Sequence, residues 1–591
     1  MPITPKIWRL LPHDPAAVER LAAALRVAPV VAQLLLNRGL SEPAPALRFL
    51  QAPLTGLHPP DLLPGATAAA ARLLAAVRAG RRICVYGDYD VDGVTGAAIL
   101  LHGLRLLGAQ PDVYVPDRLE EGYGLNAEAL QKIAVSGAQV VVTVDCGVCS
   151  VAEAEEAKRL GLELIITDHH EMKERLPDAA VLVHPRLPGG AYPFPHLSGS
   201  AVALKVAWAL CMQECGSPRV TPRLREYLLD AVALAALGTV ADVVPLHDEN
   251  RILVRHGLAR LQQAPSVGLK ALLDSAGLGD KSVLKAGDIG FRLAPRLNAA
   301  GRLSCALLVV ELLTTTSPQR ALDLARYLEG QNEQRQTLER RMLSQARELA
   351  HGFDGAPALV LASPEWHAGV IGIVAGRLAD LFARPALLIA LRPENGAVGQ
   401  GSGRSVPGFP LHEALRACGA HLLSHGGHKA AAGFKILAEQ IDAFRASFCS
   451  QAAQYFPAGP PAPRLEIDAE VPLNVLSLRL VQELDALEPY GQENPRPLFL
   501  AGGVQVVGQP RRCGGGERHL RFQVRQHNTS LWAIAFGQGE RLEELMSAGG
   551  RCCLVFSPQV NEYQGYRSVQ LEIHDFQPGP EAQLEIGPRL S

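Results

Sequence analysis

The sequence predicts a multidomain α/β protein: a doubly wound parallel sheet, a long connecting helix, a second α/β domain and a small C-terminal β-barrel. Three observations lead there. A chain of 591 residues is too long for one hydrophobic core and implies about three to five domains. Short β-branched runs alternate with amphipathic ones in its first half, the pattern of parallel strands with helical crossovers. Beyond a Pro-rich stretch, strand-like runs follow one another with only turns between them, the pattern of a barrel.

Taken in order, residues 1–65 read as a helical, Pro-punctuated lead-in, typified by AAVERLAAALRVAPVVAQLLLNRGL. Over 66–315, strands RRICVYG, DVYVP, QVVVTVD and LELIITD alternate with helices VTGAAILLHGLRLLG, NAEALQKIAVSG and SVAEAEEAKRLG. Residues 316–351 read as one charged helix with sparse apolar positions and Glu/Arg pairs at helical spacing. That makes it a rigid connector or a surface helix of one domain. Within 352–455, APALVLASP and RPALLIAL are strands around the helix GVIGIVAGRLADLF, with two Gly-rich signatures, GSGRSVPGF and SHGGHKAAAGF. The segment YFPAGPPAPR, 455–464, marks a boundary. Residues 462–580 then supply the barrel strands, in GGVQVVGQPRR, HLRFQVRQ, TSLWAIAFG, RCCLVFSPQVNEY and GYRSVQLEIHDFQ.

Composition narrows the function. A hydrophobic content of 48% with 20% charged residues describes a soluble globular chain. Its apolar runs, such as AVALAALGTVA at 231–241, are too short to span a bilayer, and MPITPKIWRL lacks a signal-peptide pattern. Eleven cysteines in a large chain point to reduced thiols and a cytoplasmic setting. Cys146 and Cys149 form a CxxC without a second pair at zinc spacing, so they read as buried thiols. A net charge of −2 means that an anionic ligand must be held by local clusters.

The chemistry gathers at predicted strand ends. VYGDYDVDG (85–93) places Asp88, Asp90 and Asp92 at every second position, where they repel unless a cation sits among them. VVVTVD delivers Asp145, LIITDHH delivers Asp168, His169 and His170, and GTVADVVPL delivers Asp242. Carboxyl ends of strands in one open sheet converge, which brings Asp90, Asp92, Asp145 and His169 to a shared site. Carboxylates with imidazole suit Mn²⁺ or Mg²⁺ better than zinc. For any one of these residues alone, a cap or turn carboxylate is the alternative. Asn298 and Arg302 in NAAGR, Ser402 and Arg404 in GSGRS, and His428 and Lys429 in GGHK offer positive charge and close backbone approach to an anion. For either glycine motif alone a tight turn without a ligand is the favoured reading; two of them beside basic residues shift it toward an anion site. Arg118, in VPDRLEEGYGLN, contacts a nucleic-acid phosphate or pairs with Glu120 or Glu121. In the barrel, Arg511, Arg512, Arg518, Arg521 and Arg525 interleave with Phe522 and Trp532, the makings of a stacking platform for single strands.

In this order, GDYDVDG, VDCG, DHH and ADVVPL resemble the DHH phosphoesterase superfamily. VPDRLEEGYGLN (115–126), FRLAPRLNAAGRL (291–303), GSGRSVPGF and GGHKAAAGF are similar to its single-stranded-DNA exonucleases over nearly the whole chain. A histidine often opens the first motif of other members; Tyr86 stands there here, as in the nucleases. The resemblance implies a catalytic DHH domain at 66–315, a connecting helix at 316–351, a DHH-associated domain at 352–455 and an OB-fold nucleic-acid-binding domain at 462–580. It implies two Mn²⁺ or Mg²⁺ ions, about 3.5–4 Å apart. One is held by Asp92, Asp145, His169 and Asp242, the other by Asp90 and Asp145 with help from Asp88, so that Asp145 bridges. His170 then sits beside the scissile phosphate with His428 close by, and Asp168 ligates or orients its neighbours. Arg302, Ser402 and Arg404 receive a terminal 5′-phosphate, with Asn298 and Arg118 as further substrate contacts.

The implied activity is hydrolysis of single-stranded DNA from the 5′ end to 5′-mononucleotides, in recombination and repair. The reading fits a monomer that works with a single-strand-binding protein and a repair helicase. A DHH enzyme for short oligoribonucleotides or cyclic dinucleotides and an inactive DNA-binding scaffold are the alternatives; the length and barrel oppose the first, the complete acidic motifs the second.

Overall fold

The structure, a computed structural model, describes residues 6–118, 120–303, 305–391, 398–457, 459, 462–547 and 549–587. Part of the Pro-rich boundary at 455–464 therefore lies outside the described residues. Two compact units result. One comprises Leu57–Val244 and Leu253–Pro461; the other comprises Met1–Gly56, Pro245–Ile252 and Ala462–Ser591.

The larger unit contains two sheets. In the first, the strands Asp112–Tyr114, Ile83–Gly87, Val140–Val144, Glu163–Thr167 and Val181–Val183 lie side by side in that order, all parallel. Ile83–Gly87 and Val140–Val144 are buried at every position, which is why they read as continuous apolar runs instead of alternating ones. The order is that of a flavodoxin-like sheet, with its switch point between these two strands. Helices Val91–Leu106, Gly199–Cys215 and Pro222–Ala241 pack together beside it. Alanine and glycine at their contacts bring the backbones close: a Cβ on Gly96 would meet Val144 at 2.5 Å and the Ser200 backbone at 3.1 Å.

The second sheet is mixed. Leu359–Ser363 and Ala386–Leu391 are parallel, and Val398–Arg404, Ala431–Leu437 and Leu422–Gly427 extend it antiparallel. The charged helix spans Pro318–Ala350, with Ser317 capping it through the Arg320 N–H. Its buried stripe, Leu324, Leu328, Asn332, Arg335, Glu339, Met342 and Ala346, recurs at three- and four-residue steps. Polar members of that stripe engage one another along the helix, Arg335 pairing with Glu339 at 2.6 Å and donating to Asn332 at 2.9 Å, while Arg377 of a neighbouring helix pairs with Glu339. The C-terminal half shares a core with Leu359, Val370, Val374 and Leu388. Sparse apolar residues thus mark a helix that is packed on one side.

In the other unit, Phe499–Cys513, His519–Gln526, Thr529–Ala535, Arg551–Tyr563 and Tyr566–Pro578 close into a barrel through the pairing of the first with the fourth. Helices Pro15–Leu25 and Pro29–Asn37 of the lead-in share its core, with Leu21, Leu34 and Leu35 in one cluster with Phe499, Phe522 and Phe556. Strand Ile7–Leu10 lies between Arg464–Ile467 and Leu584–Ile586, parallel to both. The beginning and end of the chain therefore fold as one body. Arg251 joins them, donating to the carbonyls of Phe49, Leu487 and Ala486 at 2.8, 2.8 and 3.0 Å. Among the described residues, no helix is long and apolar enough to cross a membrane.

Candidate active site

The three aspartates of the first motif occupy three different local environments. Asp88 directly follows the strand, buried, with Oδ1 lacking a hydrogen-bond partner among the described residues. Asp90 is the N-cap of helix Val91–Leu106, its Oδ1 accepting the N–H groups of Asp92 at 2.9 Å and Gly93 at 3.1 Å. Asp92 lies in the first helical turn and accepts the N–H groups of Gly199 at 2.5 Å and Ser200 at 3.0 Å, at the start of another helix. A glycine follows because a Cβ on Gly93 would stand 2.5 Å from the Asp88 carbonyl. The regular spacing is a strand end folding into a helix cap.

Asp145 leaves the neighbouring strand with φ +65°, a left-handed conformation, against Gly199, whose Cβ would meet the Asp145 side chain at 2.5 Å. Among the described residues its Oδ1 has no hydrogen-bond partner, and neither has Nε2 of His169. These two atoms lie 3.1 Å apart, and the same Nε2 is 3.6 Å from Asp242 and 3.8 Å from Asp92. Three overlapping triads, Asp88–Asp90–Asp145, Asp92–His169–Asp242 and Asp145–His169–His170, each gather their ligand atoms within 4.8 Å. Asp145 belongs to two of them.

The electrostatics match the geometry. Burial, then mutual repulsion, holds the carboxyls of Asp88, Asp90, Asp145 and Asp242 above the ordinary carboxylate range. Burial and the neighbouring His170 push His169 down to about 4, so its lone pair is free for a cation. Unpartnered buried oxygens facing an unpartnered imidazole nitrogen fit a hard divalent cation, and the donor set suits Mn²⁺ or Mg²⁺.

Asp168 is differently employed. Its Oδ1 accepts from the backbone of His169 at 2.7 Å and of His170 at 3.1 Å and contacts His170 Nδ1 at 2.8 Å, while Oδ2 accepts the Val148 N–H at 2.9 Å. Burial alone raises a carboxyl and lowers an imidazole. Here the shared hydrogen bond overrides it, holding Asp168 below its usual range and raising His170 to about 9. Asp168 orients the histidines.

Arg118, Arg302 and Arg404 form the cationic counterpart, and among the described residues none has a carboxylate at ion-pair distance. Arg302 is brought down to about 9 by burial and then by Arg118, Arg404 and Arg335. Burial and Arg118 lower Arg404 as well. Arg302 donates to the Gly369 carbonyl at 3.1 Å; Arg404 donates to Ser402 at 3.3 Å and to the Gly403 carbonyl at 2.8 Å. Helix Ala368–Phe382 presses on this pair: a Cβ on Gly372 would stand 2.8 Å from Ser402 Oγ. Mutually repelling guanidinium groups without an acid are a pocket for an anion. Asn298 stands between the two clusters, its Oδ1 accepting the Val91 N–H at 3.2 Å.

Arg118 lies over the ring of Tyr89, 4.9 Å from its centroid. Glu121 instead bonds Tyr114 at 2.6 Å, the Asp117 N–H at 2.7 Å and Lys132 at 3.1 Å. His428 occupies the exposed turn between strands Leu422–Gly427 and Ala431–Leu437, with Nδ1 3.6 Å from Glu171. The glycines of GQGSGR are not a turn. They line one face of strand Val398–Arg404, where a Cβ on Gly401 would strike Phe434 at 2.2 Å and one on Gly399 would meet Ile389 at 2.7 Å. The opposite face presents Ser402 and Arg404.

In the barrel, Arg521 covers Trp532 at 4.9 Å and Trp532 is 47% exposed, whereas Phe522 is 1% exposed. Phe522 points into the core, one residue out of phase with Arg521, and cannot stack a base. Two site residues escaped the sequence reading, Tyr89 and Tyr123. The signal for Tyr123 was its Gly-Tyr-Gly setting.

Family models match three segments: "DHH family, N-terminal domain" at residues 82–236, "DHHA1 domain" at 355–454 and "RecJ OB domain" at 467–575. The single-stranded-DNA-specific exonuclease RecJ of Bacillus subtilis is 38% identical over 570 residues, 96% of this chain and 70% of that one. The crystal structure of RecJ from Thermus thermophilus in complex with Mn²⁺ superposes with a TM-score of 0.82 at 36% identity, covering 98% of this chain and 80% of that one. The same protein in complex with Mg²⁺ gives 0.77 at 34% identity, covering 98% and 79%.

Proposed function

The chain belongs to the RecJ family of single-stranded-DNA-specific exonucleases, and on that premise we propose how its own residues divide the work of a 5′→3′ exonuclease. Asp92, Asp145, His169 and Asp242 would hold one Mn²⁺ or Mg²⁺, and Asp88, Asp90 and Asp145 would hold a second. Such ions supply an activated water and offset charge on the reacting phosphate. The observation that carries this assignment is the set of buried atoms, Asp88 Oδ1, Asp145 Oδ1 and His169 Nε2, that have no hydrogen-bond partner among the described residues.

The remaining residues position the strand. Asp168 engages His170 through Nδ1 and favours the protonated imidazole, whose Nε2 then offers a proton to an oxygen of the scissile phosphate. His428, on its exposed hairpin turn, approaches from the second sheet. Arg302, Ser402, Arg404 and Arg118 take the terminal 5′-phosphate, which sets the polarity, and Asn298 keeps the acidic helix in register with them. The barrel's Arg521 and Trp532 add a stacking platform for single-stranded DNA. Eleven free cysteines support a cytoplasmic setting, and recombination and repair are the processes that need such an activity.

End-labelled single-stranded DNA, incubated with Mn²⁺, Mg²⁺ or EDTA beside duplex and RNA controls, tests the reading. Metal-dependent release of a labelled mononucleotide from the 5′ end, absent on blunt duplex, is the expected result. Release from the 3′ end first overturns the polarity, and cleavage in EDTA overturns the metal assignment.

A further inference from the structure

Between the acidic cluster and the arginine pocket runs a wall of two tyrosines. Tyr89 carries Arg118 on its ring at 4.9 Å and meets Tyr123 edge to face, with centroids 6.4 Å apart and planes at 78°. Tyr123 in turn meets His170 at 5.5 Å and 65°. Its hydroxyl lies 3.1 Å from His170 Nδ1 and 3.3 Å from the Asp145 carbonyl, so its polar end is anchored at the acidic cluster. Yet Tyr123 is 55% exposed.

The backbone holds that exposed ring in place. Gly122 and Gly124 on either side have φ of +83° and +88°, a turn that L side chains resist. Buried Tyr86 pins the turn by donating to the Gly124 carbonyl at 2.9 Å, and Asn126 donates to the Tyr86 hydroxyl at 3.3 Å. Tyr89 is equally fixed, since a Cβ on Gly301, next to Arg302, would stand 2.6 Å from its carbonyl. A large apolar ring held open to solvent between a metal cluster and a phosphate pocket is a binding surface without an assigned ligand.

We propose that Tyr123, backed by Tyr89, is the stacking face for the base of the terminal nucleotide. This rests on the exonuclease reading, in which that nucleotide spans from the 5′-phosphate in the arginine pocket to the scissile phosphate at the acidic cluster. Every base has a π-face, so an aromatic ring grips the outgoing nucleotide without reading its sequence. The phosphate is held by charge and the base by the ring.

The test uses 5′-phosphorylated single strands whose first residue is either a normal nucleotide or an abasic tetrahydrofuran. With Mn²⁺, Tyr123→Ala is expected to lower kcat/KM about tenfold to a hundredfold on the normal end, the worth of one base–aromatic stack. On the abasic end the variant and wild type converge. Tyr123→Phe retains the wild-type discrimination between the two ends, which separates the ring from the hydroxyl that touches His170. Equal loss by Tyr123→Ala on both ends, or no loss on either, overturns the stacking while leaving the exonuclease reading intact. A wild-type enzyme that cuts neither strand overturns that reading, and this inference with it. Melting and Mn²⁺ titration of Tyr123→Ala separate misfolding; if that variant does not fold, loss of end discrimination in Tyr123→Phe overturns the proposal.

Discussion

The two sheets of the larger unit present opposite charge by different means. The parallel sheet collects carboxylates one segment at a time: Asp88 from one strand end, Asp145 from the next, His169 from a third and Asp242 from the end of a helix. Each arrives from a different part of the chain, and their proximity costs free energy until a cation enters. The mixed sheet places Ser402 and Arg404 two residues apart on one face of one strand, while glycines on the other face let the strand lie flat against Phe434 and Ile389. An acidic site assembled across a sheet depends on its ligand for stability. A basic site carried by one strand depends on the packing behind it.

Four measurements separate these dependences, the largest effect first. Asp145→Asn is expected to lower cleavage by about a thousandfold or more, because the residue shared between two triads is lost. The same change raises the melting temperature of the metal-free protein at pH 8 by relieving repulsion; a lower value there contradicts the account of stored repulsion. Next comes the metal itself. The folded chain binds protons at Asp88, Asp90, Asp145 and Asp242 more tightly than the unfolded chain does, so without metal the stability these four carboxyls contribute is lost as pH rises from about 4 through their raised folded values. Mn²⁺ at about a hundred times its Kd adds roughly 2.7 kcal/mol. Its shift of the melting curve should grow from pH 5 to pH 8, and a shift independent of pH contradicts the carboxylate assignment.

On the basic side, Arg404→Ala is expected to reduce the preference for a 5′-phosphorylated end by about tenfold to a hundredfold, the worth of a hydrogen bond to a charged group. Competition between phosphorylated and hydroxyl-ended strands reads it, and an unchanged ratio moves the phosphate elsewhere. Gly401→Ala has the smallest effect. Forcing a methyl against Phe434 costs about 1–3 kcal/mol. Scanning calorimetry without metal should show the lowered stability, and an unaltered melt means that the ring yields.

Asp88, Asp90, Asp92, Asp145 and His169 were legible because each follows an apolar run whose length and β-branching mark a strand. The barrel's strands were legible for the same reason. Asp242, grouped with the strand ends for the apolar run before it, instead caps the C-terminus of helix Pro222–Ala241. Phe522 was misread because strand alternation reveals which residues share a face but not which face is inward. The glycines of GQGSGR were misread because a missing side chain looks alike in a turn and in a strand crowded by Phe434.

The sequence by itself therefore determined the parallel sheet, the barrel and the identity of the acidic residues, all of which follow from local periodicity and strand-end position. Only the tertiary structure decided that the first and last segments of the chain share one core, that Asp168 holds His170, and that Tyr89 and Tyr123 line the way between the two charged clusters. Those facts depend on contacts between residues far apart in the chain or carried by turns, where no periodic signal records the partner.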